Sequence, residues 1–431
     1  MDTTPAIAFV TLGCPKNEVD SDRMAAAVLS SAYRLVENPD DADVVVLNTC
    51  AFIQPATEEA INEFFELHND WRPGRPGRRI VVAGCMPSRY GAELIDAMPE
   101  ADAFVAVDAE GHLLDTLEAL LGTPSAPSAG PGRLVPGATA YLKVSEGCDR
   151  RCAYCTIPGI RGPFVSTPQA TLVAEAGWLI EHGAQEIVLV GQDIASWGVD
   201  LGGGESLAGL VRALDALPGD YRLRLMYVQP DGVTDALLGA MAGASHVCHY
   251  LDIPLQHASA GILERMGRTG SPDDHLALLR RVRAALPDVT LRTTVMAGFP
   301  GETDQDASTL ETFLEDADFD YVGVFVYSPE DGTRAAEMAD RVELSIAQER
   351  AQRLRDIADA SGFARAASRV GSVQRVLVEG VDEDGDLVGR TCGQAPDVDG
   401  ITFVDTDAAA GTFIDLLISE AVGYDLVGEG I

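Results

Sequence analysis

The stretch "AYLKVSEGCDRRCAYC", residues 140–155, decides the fold. Its first half is a short apolar run of strand character, closed by Ser145, Glu146 and Gly147. Its second half sets Cys148, Cys152 and Cys155 at C-x3-C-x2-C spacing. A strand that runs straight into a thiol loop places those thiols at its carboxyl end, where the sites of parallel β/α barrels gather. Three thiolates so spaced can turn inward around one iron–sulfur cube, because soft sulfur ligands select iron–sulfur clusters or zinc. A structural zinc wants four protein ligands and usually shows two C-x2-C knuckles, and no fourth ligand is close by. Three ligands on a four-iron cluster leave one iron open, so substrate or cofactor is expected to fill the fourth position. The alternative is three unconnected buried cysteines.

Downstream, apolar runs alternate with helical stretches. Strands are expected at "AYLKVS", "EIVLVG", "LRLMYV", "HYLDIPL", "VTLRTTVMAG" and "YVGVFVYS". "DDHLALLRRVRAAL" shows the apolar spacing of a helix between two of them. Six such units imply a partial (β/α) barrel, residues 138–365 with the helical connector "SIAQERAQRLRDIADASGFARAAS" included. From 366 to 431 the text turns to short strands and turns, as in "GSVQRVLVEGVDEDGDLVGR", which spells a small β-barrel of oligonucleotide-binding (OB-like) shape.

Upstream, "GTPSAPSAGPGRLVPG", residues 122–137, reads as a linker. Residues 5–121 alternate strand and helix signals, and the fold class is therefore α/β, beginning with an open parallel α/β domain. Within it "FVTLGC", "VVVLNTC" and "IVVAGC" each end an apolar strand on a cysteine: Cys14, Cys50 and Cys85. These are 36 and 35 residues apart, so spacing says nothing, but parallel strands point their carboxyl ends to one edge, where ligands collect. Three thiolates are therefore expected on one rim. The alternative is that free cysteine is among the most buried residue types. Cys248 and Cys392 lack comparable company and read as interior or incidental.

The totals bound the rest. A chain of 431 residues suggests about three domains, and 46% hydrophobic residues suffice for a substantial core. The formal charge is −36, from 31 basic and 67 acidic residues, which suits a basic protein partner better than a phosphate backbone. The opening "MDTTPAIAFVTLGC" has no basic n-region, so no signal peptide is expected. No apolar run approaches the length of a membrane span. A cytoplasmic protein with no membrane association is expected, and in that reducing setting eight cysteines favour metal or redox chemistry over disulfides.

C-x3-C-x2-C with aromatic Tyr154 before the last cysteine, on the first loop of a six-unit barrel, resembles the radical S-adenosylmethionine superfamily. The resemblance implies a [4Fe-4S] cluster on Cys148, Cys152 and Cys155, with S-adenosyl-L-methionine chelating the open iron. Cleavage of that cofactor yields a 5′-deoxyadenosyl radical, and the protein positions and excludes water. By analogy Gln192, Asp193, Gln256, His257, Gly298 and Glu302, in "GQDIASWG", "PLQHAS" and "AGFPGET", contact S-adenosylmethionine or substrate. The alternative for Gln256 and His257 is that they are satisfied polar residues at a strand end.

"TLGCPKNEVDS", "LNTCAFI" and "AGCM" resemble the amino-terminal domain of the methylthiotransferases, and the last 60-odd residues resemble their terminal TRAM barrel. This resemblance spans essentially the whole chain. It implies a second [4Fe-4S] cluster on Cys14, Cys50 and Cys85, holding the sulfur that one S-adenosylmethionine methylates. A second S-adenosylmethionine generates the radical, and radical and sulfur donor must both reach the same carbon. One branch of these enzymes modifies an adenosine of transfer RNA. The other modifies the β-carbon of an aspartate in small-subunit ribosomal protein S-twelve, and "LGCPKN", "YLDIPLQHAS", "RTTVMAGFPGET" and "GRTCGQAPDVDG" resemble that branch. One departure is "FVSTP", where a basic residue is expected after Ser166. Residues 366–431 hold three basic and 13 acidic residues, a net of −10, which should repel RNA and attract a basic ribosomal protein. An electron donor such as flavodoxin or ferredoxin is implied, and strong nucleic-acid binding is not. A transfer-RNA methylthiotransferase and a non-enzymatic two-cluster electron carrier are the alternatives.

Overall fold

The computed structural model describes residues 4–122 and 132–431, so the first three residues of the opening stretch and residues 123–131 of the expected linker lie outside it. The chain forms two compact units. The first takes residues up to 135 together with 146–150 and 155–164; the second takes 136–145, 151–154 and 165–431.

In the first unit β1 (Ala6–Thr11), β2 (Arg34–Leu35), β3 (Val44–Thr49), β4 (Arg79–Gly84) and β5 (Ala103–Ala106) form one parallel sheet in the order β2-β1-β3-β4-β5. Every residue of β3 is buried, because both faces of a central parallel strand are covered. Strand period two then sorts its side chains. Val44 and Val46 join Ile7 and Val81 under α1 (Pro15–Leu29) and α4 (Leu113–Leu121). Val45 and Leu47 join Ile80 and Val82 under α2 (Gln54–Glu66) and α3 (Cys85–Ala97). Each such buried Val or Leu contributes about 1.5–3 kcal/mol. A short helix, α5 (Ile157–Arg161), also belongs to this unit.

The second unit carries six parallel strands. β6 (Thr139–Lys143), β9 (Glu186–Val190) and β10 (Arg222–Leu225) pair in one ladder; β11 (Tyr250–Asp252), β12 (Thr290–Ala297) and β13 (Tyr321–Val326) pair in another. A parallel bridge from Leu223 to Val247 joins the two, giving the expected partial barrel. Two-residue strands β7 (Ser145–Glu146) and β8 (Val165–Ser166) form a further pair. The crossovers carry α6 (Gln169–Glu181), α7 (Leu207–Asp215), α8 (Asp235–Ala242), α9 (Ala260–Met266), α10 (Pro272–Ala285) and α11 (Asp304–Ala317). α12 (Leu344–Ala367) leads to a closed barrel of β14 (Val373–Val381), β15 (Leu387–Thr391), β16 (Thr402–Asp405), β17 (Phe413–Val422) and β18 (Asp425–Gly430). Irregularities at Val378/Gly380 and Ile418/Glu420 bend its longest strands enough to close it.

Glu186, at the amino end of β9, fastens this terminal barrel to the larger one. Its carboxylate accepts from Arg224 Nε at 2.6 Å, Arg222 Nη2 at 2.8 Å and Arg390 Nη2 at 2.6 Å. Burial pushes the Glu186 carboxyl up, but the three guanidiniums together hold it well below the usual range. Arg222 and Arg224 also donate to the carbonyls of Arg390 and Cys392, each at 2.8 Å.

Candidate active site

Cys14, Cys50 and Cys85 follow the carboxyl ends of β1, β3 and β4, and the sheet brings them together. Cys14 caps α1, with Pro15 in the first helical position, and Cys85 opens α3. Both thiols lean on one oxygen: Cys14 Sγ and Cys85 Sγ donate to Asn17 Oδ1 at 3.7 and 3.8 Å. Cys50 closes the group from the middle strand. Gly13 (φ +99°) passes so near it that a Cβ there would lie 2.5 Å from the Cys50 Cβ and 3.2 Å from its sulfur. Amide side chains stitch the strand ends. Asn17 Nδ2 donates to the carbonyls of Leu12 and Thr49 at 2.9 and 3.0 Å, and Asn48 Nδ2 to the carbonyl of Asn17 at 3.0 Å.

A residue that sequence reasoning missed completes this group. Arg161, at the end of α5, has a side chain only 1% exposed. Its Nη2 lies 3.3 Å from Cys85 Sγ and 2.7 Å from Asn17 Oδ1, while its Nη1 meets Asp20 Oδ2 at 2.6 Å and Glu146 at 3.4 Å. Burial is the largest influence on the Cys85 thiol and pushes it up to about 11, with Arg161 opposing. Burial also raises the Cys50 thiol. The available signal was on α1: Asn17, Asp20 and Ser21 are spaced three and four apart and turn a polar stripe inward, which calls for a buried counter-charge.

In the central loop, Cys148 and Cys155 belong to the first unit and Cys152 to the second. Gly147 (φ +72°) sits so close to the returning chain that a Cβ would lie 2.1 Å from the Pro163 carbonyl oxygen, and Cys148 N donates to Gly162 O at 3.2 Å. Cys152 has a cation beside it, Arg268 Nη1 at 3.7 Å from its sulfur. Next to it Ala153 N donates to Met266 O at 2.8 Å, and Ala153 O accepts from Ala335 N at 2.8 Å. Tyr154 is half-buried against the apolar cluster of Ile262, Met266 and Phe299.

All eight cysteines are free of disulfides. A lone zinc ion draws its sulfurs to about 2.3 Å from one point; among the described residues no three His, Cys, Asp or Glu side chains stand in such a shell. An iron–sulfur cube asks instead for soft thiols at separate corners, and an all-sulfur donor set of three fits that group.

The other expected residues lie on loops at the carboxyl ends of the barrel strands. Gln192 and Asp193 follow β9, and Asp193 accepts from Ser196 Oγ at 2.8 Å. Gln256 follows β11 in a left-handed conformation (φ +72°), its backbone paired with Thr294 and Met296. His257 is fully buried; its Nδ1 accepts from Ser259 N at 2.9 Å, so Nε2 carries the proton, 3.7 Å from Glu302 Oε2. Glu302 in turn accepts from Gly298 N at 2.8 Å and from Arg350 Nη1 at 3.0 Å. His257 and Glu302 are thus brought together at the "GFPGE" turn, whose backbone the Glu302 carboxylate holds through Gly298 N and Phe299 N. Gly298 (φ +78°) packs on Ala347, which a Cβ would meet at 2.3 Å.

Cys248 and Cys392 have more company than the sequence suggested. The two thiols are neighbours, near the guanidiniums of Arg222 and Arg224, and the Cys248 thiol together with these cations pulls the Cys392 thiol down.

Comparison with known proteins extends this picture. Residues 6–106 match the model of "Uncharacterized protein family UPF0004", residues 142–314 that of the radical SAM superfamily, and residues 370–431 that of the TRAM domain. The chain is similar to the ribosomal protein uS12 methylthiotransferase RimO of Geobacter sulfurreducens, 39% identical across 98% of each chain. It is also similar to the RimO proteins of Syntrophus aciditrophicus (40%, 99% of this chain and 98% of that one) and Lachnoclostridium phytofermentans (36%, 98% and 99%). Among solved structures, the radical S-adenosylmethionine methyltransferase TsrM of Kitasatospora setae shares the fold, with a TM-score of 0.57 and 13% identity over 86% of this chain and 81% of that one.

Proposed function

The chain belongs to the RimO family of methylthiotransferases, and from that premise we propose that it methylthiolates the β-carbon of an aspartate in ribosomal protein uS12, using two [4Fe-4S] clusters and two molecules of S-adenosylmethionine. That it is a radical SAM, S-adenosylmethionine-dependent methylthiotransferase follows from the family itself. The observation that carries the finer reading is the pair of thiol triads: one on the loop after β6, one assembled by the carboxyl ends of β1, β3 and β4.

When bound, the loop's cluster supplies the electron that splits the cofactor's sulfonium, and the amino-terminal cluster supplies the sulfur to be transferred. Cys148, Cys152 and Cys155 would hold the first, three ligands for a cluster whose fourth ligand S-adenosylmethionine would supply. The Arg268 guanidinium stands beside the Cys152 sulfur, 3.7 Å from it. Gln192, Asp193, Gln256 and Gly298 shape the cofactor's pocket, with His257 and Glu302 together at its loop. Cys14, Cys50 and Cys85 would hold the second cluster, placed for it by the carboxyl ends of β1, β3 and β4. The acidic terminal barrel, with three basic residues against 13 acidic, steers a Lys- and Arg-rich protein rather than RNA. Among the described residues no helix is long and apolar enough to cross a membrane; a cytoplasmic setting, with flavodoxin or ferredoxin as reductant, suits two reduced clusters.

The test is mass spectrometry of uS12 incubated with the reconstituted enzyme, reductant and S-adenosylmethionine. One aspartate should gain about 46 Da, one SCH3 replacing one H. Unmodified uS12 alongside methylthiolated transfer RNA would assign the chain to the other branch.

A further inference from the structure

We propose that Arg161 sets the charge of the cluster held by Cys14, Cys50 and Cys85, its buried guanidinium making that cluster easier to reduce. The proposal rests on the assignment of those three cysteines as cluster ligands. Four observations lead to it. The guanidinium is permanently charged and almost sealed from water, with a side chain 1% exposed, so its field is little screened. Its Nη2 touches Cys85 Sγ at 3.3 Å, within reach of a charge-assisted hydrogen bond to a thiolate. The cation cannot swing away, because Asp20 holds Nη1 at 2.6 Å and Asn17 holds Nη2 at 2.7 Å. Asn17 Oδ1 lies 3.7 and 3.8 Å from the Cys14 and Cys85 sulfurs, so the residue that orients the cation stands among the thiols.

Stability does not explain the arrangement. A buried ion pair is no more stabilising than apolar side chains of the same volume and is often worse. Hydrogen bonds to sulfur and net charge, by contrast, are what set iron–sulfur potentials. Asp20 and Glu146 both sit on Nη1 of Arg161 while Cys85 meets Nη2, so the cation, and neither carboxylate, faces the sulfur. An electron added to the cluster is therefore stabilised.

The experiment uses full-length protein in which Cys148, Cys152 and Cys155 are all replaced by Ala, leaving one triad. Its iron content and its midpoint potential are measured anaerobically, with Arg161 intact and with Arg161→Met, Arg161→Gln and Arg161→Lys. The Met and Gln variants should be at least tenfold harder to reduce, about 59 mV more negative for one electron, whereas Lys should restore most of the loss. If Met prevents loading, the Gln–Lys difference decides the matter. Equal potentials in loaded Gln and Lys variants that match the Arg161 parent overturn the role of Arg161 alone. A parent that binds no iron overturns the ligand assignment, and this proposal with it.

Discussion

The two thiol triads reach the same donor chemistry by opposite routes. Cys148, Cys152 and Cys155 occupy eight consecutive positions, and the chain's local path, turning at Gly147, sets their spacing. Cys14, Cys50 and Cys85 are brought together only when three parallel strands align, and Asn17, Asn48 and Thr49 lock those strand ends. Their surroundings differ as well. The local triad has Arg268 near a half-buried Cys152, while the assembled triad has Arg161 sealed against a buried Cys85. A contiguous motif owes its spacing to the local chain alone. A motif assembled by a sheet inherits the sheet's rigidity and its buried charge.

The sharpest way to break this comparison is to remove one thiol from each side. Cys148→Ala should reduce 5′-deoxyadenosine formation to background. Cys50→Ala should keep cofactor cleavage, now uncoupled, and lose methylthiolation entirely. Chromatography of the nucleoside and mass spectrometry of uS12 read the two outcomes separately, and methylthiolated product from Cys50→Ala would erase the division of labour.

A smaller effect is expected where charge serves the fold alone. Glu186→Gln strands three buried guanidiniums and should cost about 3–5 kcal/mol in chemical denaturation. Iron loading of the folded fraction should be unchanged. Loss of iron with unaltered stability would mean that this network reaches the thiols.

The smallest effect concerns Asp252, a buried carboxyl near Arg292. Burial, the largest influence, and the nearby Asp399 carboxyl outweigh Arg292 and push it up to about 6. Because the folded pKa lies above the unfolded one, Asp252 stabilises the fold below about pH 4, and that contribution is lost as pH rises toward 6. Asp252→Asn should remove that slope, so the variant gains on the parent by up to about 3 kcal/mol between pH 4 and 7, from a pKa about two above the ordinary one at about 1.4 kcal/mol for each. Parallel stability profiles would show that Asp252 does not titrate there.

These contrasts also mark what the chain reveals unaided. The strand that runs into the three-cysteine loop was legible as an apolar run, and the gathering of Cys14, Cys50 and Cys85 from the recurrence of an apolar strand ending on Cys. The barrels were legible because buried parallel strands read as continuous apolar runs and small barrels as short alternating ones. Arg161 was not, because its partners Cys85 and Asp20 are 76 and 141 positions away. Nor was the tie from Arg390 to Glu186, 204 positions apart, which joins the terminal barrel to the larger one within a single compact unit. The thiol pair of Cys248 and Cys392 escaped notice for the same reason. Burial of charge depends on which distant segment arrives opposite, and no local period records it.

The proposal that the loop's cluster leaves one iron open is tested most directly by electron paramagnetic resonance. With Cys14, Cys50 and Cys85 replaced by Ala, anaerobically reduced protein should carry about four irons per chain, one cube. Adding S-adenosylmethionine should change its spectrum as the cofactor chelates the open iron. A spectrum untouched by S-adenosylmethionine, or zinc in place of iron, would contradict it.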